Sequence, residues 1–270
     1  MDHALTLHQL CLRDVAPADL PGIAAGAGLN SVSVFVTPPS PELDIFPRIQ
    51  PGDDQRAFAQ ACREHGVSVH NIEVFSIGPD TDPADFAPAL DIGHAIGATR
   101  LTALVQDADH ARARDRMALL ADLAADRGIA VSIEFMKFSE LRSIRAGAEF
   151  VQAAGHPNLT LLVDPLHLIR TGGTVTDLDA TPPALIGAAQ ICDGPLQAPA
   201  NLFGEAVENR GIPGEGEFPL AGFLSALPPG CPIDIEVPLK RLATAGVAPQ
   251  DRAKRLVDAT RRLLTEPAAP

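Results

Sequence analysis

Val131-Ser-Ile-Glu-Phe-Met136 is a short apolar run with one acid, Glu134, near its end. A buried strand carries a carboxylate only where a cation, a metal or a substrate meets it, because burying an unpaired charge is prohibitive. Three further runs end in the same way. Leu161-Leu-Val-Asp164 closes on an acid, Ala188-Ala-Gln-Ile-Cys-Asp193 on Gln190 and an acid, and Pro232-Ile-Asp-Ile-Glu236 on an acid again. Four polar residues at four consecutive strand ends point to one site.

Around these runs the chain alternates strand and helix signals. Strands are predicted at Ala4–His8, Ser31–Val36, Val67–Phe75, Thr99–Val105, Ile129–Phe135, Leu159–Val163, Ile186–Cys192 and Pro232–Val237, from β-branched and apolar runs bounded by Gly and Pro. Helices are predicted at Pro17–Ala27, Gln55–His65, Pro83–Gly97, Ala111–Arg127, Ser139–Ala154, Leu220–Ala226 and Pro249–Leu264. Eight strands at roughly 30-residue spacing, each followed by a helix or a helix-length connection, imply an α/β (β/α)8 TIM barrel occupying residues 1–270 as one domain. Two long connections stand out. Thr37–Asp54 is rich in Pro and is a candidate lid, and Gly194–Glu217 is a second excursion.

Composition narrows the function. The 270 residues carry a net charge of −13 and are 46% hydrophobic, which allows a large core and excludes the basic face that nucleic acid requires. The four cysteines, Cys11, Cys62, Cys192 and Cys231, form no CxxC pair, so the expectation is reduced thiols. No run approaches a membrane span and the N-terminus has no leader pattern, so a cytoplasmic protein is expected.

Active sites of such barrels lie at the C-terminal ends of the strands. Glu134, Asp164, Gln190 and Glu236 fall there on strands five to eight, and three carboxylates with an amide oxygen form a hard shell suited to Mn2+ or Mg2+. The competing reading is that each acid caps a following helix or pairs with an arginine.

The order Glu134, Asp164-Pro-Leu-His167, Gln190, Arg210-Gly-Ile-Pro-Gly-Glu-Gly216 and Glu236 resembles the xylose-isomerase-like barrel superfamily, which includes sugar isomerases, ketose 3-epimerases, and inosose and dehydroshikimate dehydratases. The resemblance spans essentially the whole chain. It implies that Glu134, Asp164 and Glu236 ligate a metal, that His167 and Arg210 contact substrate oxygens, and that the protein forms a homo-oligomer. One position departs from the pattern. The superfamily usually places His on strand seven, where this chain has Gln190, a neutral and weaker donor.

A divalent ion gripping a carbonyl and a neighbouring hydroxyl stabilises the enediolate formed when the adjacent proton leaves. Glu134 and Glu236 would then act as base and acid in an isomerase or epimerase of a small, sugar-like substrate. Expulsion of a β-hydroxyl after the same first step would make the enzyme a dehydratase of a cyclic keto-polyol or keto acid. A barrel that has lost catalysis through Gln190 and only binds a carbohydrate-like ligand is a further alternative. The apurinic-endonuclease branch of the superfamily needs a histidine cluster and a basic face, and this sequence has neither.

Among the remaining candidates, His8 and His70 read as core or rim histidines, and Glu73 as open between pocket and surface. Lys137 reads as a loop lysine, and Pro213-Gly-Glu-Gly216 as a tight turn that positions Arg210. The chain has no Trp or Tyr. Phe46, Phe75, Phe135, Phe138 and Phe203 are therefore the expected stacking residues.

Overall fold

The computed structural model describes residues 3–38 and 46–265. Eight parallel strands close into a barrel in chain order, with β1 hydrogen-bonded to both β2 and β8. They are β1 Leu5–His8, β2 Ser31–Phe35, β3 Ser68–Ile77, β4 Arg100–Val105, β5 Ala130–Glu134, β6 Leu159–Val163, β7 Ile186–Ile191 and β8 Ile233–Ile235. The expected (β/α)8 barrel is the fold.

Side chains on a strand alternate between its two faces, and here the alternation separates two kinds of packing. Leu7, Val131, Ile133, Leu161, Val163, Ile191, Ile233 and Ile235 point outward into the core beneath the helices. Their neighbours in sequence point inward and are largely polar. Arg100 Nη1 donates to Ser132 Oγ at 2.6 Å, Asn71 Nδ2 to Thr102 Oγ1 at 2.8 Å, and Ser33 Oγ to Asp234 Oδ2 at 2.6 Å. The same two-residue period carries the inward face from Ser132 to Glu134, from Thr6 to His8 and from Asp234 to Glu236, so polar residues converge at the C-terminal end of the barrel.

Boundaries differ where capping decides them. The helix expected from Ser139 begins at Ile144, because Ser143 is its cap and accepts from Ala146 N. Ser139 instead holds a turn, its hydroxyl 3.0 Å from Leu141 O and 3.2 Å from Met136 O. The excursion at 194–217 contains a helix, Leu202–Glu208, capped by Asn201. Two other short helices, Pro165–Arg170 and Lys240–Thr244, follow β6 and β8.

Of the lid candidate Thr37–Asp54, residues 39–45 lie outside the described residues. Its later part is fastened over β2. Phe46 stacks on Phe35 at 4.6 Å, Ile49 N donates to Phe35 O, and Gln9 Nε2 donates to Pro47 O. Among the described residues no helix is long and apolar enough to cross a membrane.

Candidate active site

The barrel brings Glu134, Asp164, Gln190 and Glu236 together, all buried. Glu134 is the last residue of β5, and Glu236 follows β8 directly. Asp164 combines two roles that the sequence left as alternatives. Its Oδ1 caps the helix Pro165–Arg170 by accepting from Leu166 N at 2.7 Å, which leaves Oδ2 facing the site. One turn along that helix, His167 brings Nε2 to 3.5 Å from Glu134 Oε1.

Arg210 comes from the excursion after β7, and its placement explains the glycines that follow it. The Asp193 carboxylate accepts four backbone N–H groups, from Gly194, Gly214, Gly216 and Phe218, at 2.8–3.0 Å. A Cβ at Gly211 would lie 2.6 Å from the Asp193 carbonyl carbon, and Gly214 adopts φ +84°. This turn aims the Arg210 guanidinium into the floor. Nη1 lies 2.7 Å from Asp164 Oδ2 and 2.5 Å from Glu236 Oε2, while Nε donates to Ala206 O.

Two residues that the sequence did not assign to the site belong to it. His8, at the end of β1, lies with Nε2 3.1 Å from Glu73 Oε2 and Nδ1 3.6 Å from Glu236 Oε1. Glu73 also accepts from Asn71 Nδ2 and Thr102 Oγ1 at 2.8 and 2.9 Å. Neither residue stands in a recognisable motif, so only the closure of β1 onto β8 reveals the group. His70 does not line the cavity, and Lys137 is exposed, as the loop reading holds.

The electrostatics follow from burial. Burial pushes Glu134 well above the ordinary carboxylate range, helped by Glu236 and Asp164. Burial likewise lifts Glu236 to about 7 against the pull of Arg210 and His8. For Asp164, burial is outweighed by Arg210, His167 and the Leu166 N–H, and its carboxyl stays below the ordinary value. Burial lowers His167 to about 4, so its ring is neutral. At His8 burial is overcome by Glu73 and Glu236, which raise it to about 9. The Leu10 N–H points at His8 Nδ1 from 3.1 Å and favours the neutral tautomer with its proton on Nε2. The carboxylates, which flank the ring on both sides, outweigh that contact.

The donor set fits a divalent cation. Glu73, Glu134, Asp164 and Glu236 crowd the floor around Arg210, and even with His8 protonated two carboxylate charges remain for protons or a metal to neutralise. Glu134, Asp164 and His167 bring ligand atoms within 4.8 Å of one another. The outer amide atom of Gln190 lies 3.0 Å from Glu134 Oε1 and 3.2 Å from Asp164 Oδ2. Neighbouring oxygens around a six-coordinate ion, each at about 2.1 Å, are about 3 Å apart, so the oxygen of Gln190 suits a cation there. Turned over, the amide nitrogen donates to both carboxylates.

Above the floor opens a cavity of about 330 Å³. Phe46, Phe138 and Phe203 line it as expected, together with Phe35, whereas Phe75 and Phe135 are buried in the core.

Known structures share this architecture. A xylose isomerase-like TIM barrel/4-hydroxyphenylpyruvate dioxygenase fusion protein is 22% identical with TM-score 0.76; the match covers 98% of this chain and 42% of the fusion. The chain thus spans less than half of that protein. The IolI protein, solved with a zinc atom, is 15% identical with TM-score 0.78 over 97% of this chain and 98% of its own. D-allulose 3-epimerase from Methylomonas sp. is 18% identical with TM-score 0.72 over 97% and 98%. No curated protein matches the sequence significantly. Residues 22–263 match the xylose isomerase-like TIM barrel family, and the chain belongs to that family.

Proposed function

We propose that the protein is an isomerase or epimerase of a small hydroxy-carbonyl compound, acting by proton removal next to the carbonyl with Mn2+ or Mg2+. The observation that carries this reading is that Glu134 and Glu236 enter the floor of one cavity from β5 and β8. They are not equivalent. Arg210 grips Glu236 at 2.5 Å, whereas among the described residues Glu134 has no cation on it and meets the neutral ring of His167, 3.5 Å away.

Glu134, whose pKa burial raises and no cation lowers fully, is the stronger base of the two once ionised, and in that form it takes the substrate proton. Glu236, held by Arg210, returns a proton from the other side. His167 and Arg210 donate to substrate oxygens and hold the reacting carbon between the two acids. A divalent ion bound by Glu134, Asp164, Gln190 and Glu236 would supply Lewis acidity to the carbonyl. Dehydration by loss of a β-hydroxyl is the alternative outcome of the same first step. The epimerase and IolI folds support the reading by analogy only.

A second reading, a barrel that binds without turnover, draws on Arg210 and on the Gln190 amide nitrogen, which together can satisfy Asp164 with no metal. Metal analysis separates the two. After dialysis against Mn2+ or Mg2+, the proposal expects one ion per chain in the wild type and loss of it in Glu134→Gln; no ion in the wild type overturns the metal-dependent reading.

A further inference from the structure

The walls of the cavity differ in chemistry from its floor. Leu10, Phe35, Val74 and Leu104 form a hydrophobic cluster separate from the main core, with Phe46 and Met136 packed against it. This cluster sits at the barrel mouth, and all six residues line the cavity. Facing it, Phe138 and Phe203 meet edge to face at 5.9 Å, each 40% exposed on the rim. Among the described residues, Gln106 is the one polar side chain lining the cavity above the ring of charged groups.

This arrangement suits one kind of substrate poorly. A polyol carries a hydroxyl on each carbon, and each needs a hydrogen-bond partner when it leaves water. Among the described residues the walls offer almost none. Four aromatic rings and an apolar cluster instead match a flat or cyclic hydrocarbon group, which gains from burial against ring faces and edges. An apolar cluster that is set apart from the folding core and lines a cavity is a usual mark of a ligand site. The volume also suits a small ligand, since about 330 Å³ lies at the lower end of the range for small-molecule pockets.

We infer that the site takes an amphiphilic hydroxy-ketone, with a neutral carbonyl-and-hydroxyl head on the carboxylate floor and an aryl or cyclic hydrocarbon tail between Phe46 and the Phe138–Phe203 pair. The assignment of the head rests on the proposed enolising chemistry; the assignment of the tail rests on the walls alone. The tail groups set specificity and take no part in proton transfer.

The test uses 2-hydroxyacetophenone and D-fructose as probes, in D2O with Mg2+, read by saturation-transfer NMR for binding and by loss of the proton signal next to the carbonyl for exchange. Because both rings are on the rim, Phe138→Ala/Phe203→Ala should fold normally. The expected result is aryl-proton saturation, binding of 2-hydroxyacetophenone at least about tenfold tighter than fructose, and a loss of about tenfold for that probe alone in the double variant. Equal or tighter binding of fructose, or no change in the double variant, overturns the inference. The two claims fail separately. Aryl binding without exchange sinks the chemistry and leaves the tail site, whereas exchange of fructose without aryl binding does the reverse.

Discussion

Arg210 Nη1 lies 2.5 Å from Glu236 Oε2, and the same nitrogen reaches Asp164 Oδ2 at 2.7 Å. One buried guanidinium therefore holds the acids that follow β6 and β8, and removing it leaves both without their cation. Arg210→Met is expected to cost about 3 kcal/mol in urea unfolding, with part of the loss recovered in Mn2+. Unchanged stability would mean that the two acids are already protonated and that the ion pair contributes nothing.

Gln190 stands on β7, where it faces Glu134 and Asp164. Gln190→His supplies an imidazole to the same position, and divalent-ion affinity by calorimetry should rise by about tenfold or more, most for Zn2+. Weaker binding in the variant would remove Gln190 from the ligand set.

Arg170 and Glu205 form a buried two-point pair at 2.6 and 2.7 Å, and Arg170 also donates to Pro195 O and Leu196 O. The pair fastens the helix Leu202–Glu208, whose Ala206 carbonyl steadies Arg210. Glu205→Gln should lower stability by about 3 kcal/mol and should also reduce turnover. Full activity at full stability would show that the excursion is held by other contacts.

Arg252 is buried against a half-exposed Asp14, whose pKa its hydrogen bonds hold below the ordinary value. A carboxyl with a depressed folded pKa contributes stability above its unfolded value of about 3.9, and the contribution is lost as pH falls through the folded value. Asp14→Asn should therefore cost about 1–2 kcal/mol at pH 7, a figure reduced for solvent screening. Measured against pH, the gap between variant and wild type should close below about pH 4. A gap that persisted in acid would assign the effect to packing.

The barrel was legible because each strand is an apolar run with clear breaks; β6 matches Leu159–Val163 at both ends. Glu134, Asp164, Gln190 and Glu236 could be grouped because barrel closure converts four strand ends into one place. Asp193 shows why the Arg-x-x-Pro-Gly-x-Gly run reads as a turn, since its carboxylate gathers the backbone N–H groups there. His8 was not legible. It stands alone on a four-residue strand, and its partners Glu73 and Glu236 lie on other strands far along the chain. The helix Leu202–Glu208 was also hidden, because it is short, contains Gly204 and lies within a Pro- and Gly-punctuated segment.

In the proposed reaction Glu134 and Glu236 move a proton at the carbon beside a carbonyl. Deuterium incorporation from D2O into a panel of hydroxy-ketones and ketoses, followed by NMR in the presence of Mg2+, tests it most directly. Incorporation at that carbon is expected in the wild type, with a fall of about 100-fold or more in both Glu134→Gln and Glu236→Gln. Exchange that survives either substitution at the wild-type rate would contradict it.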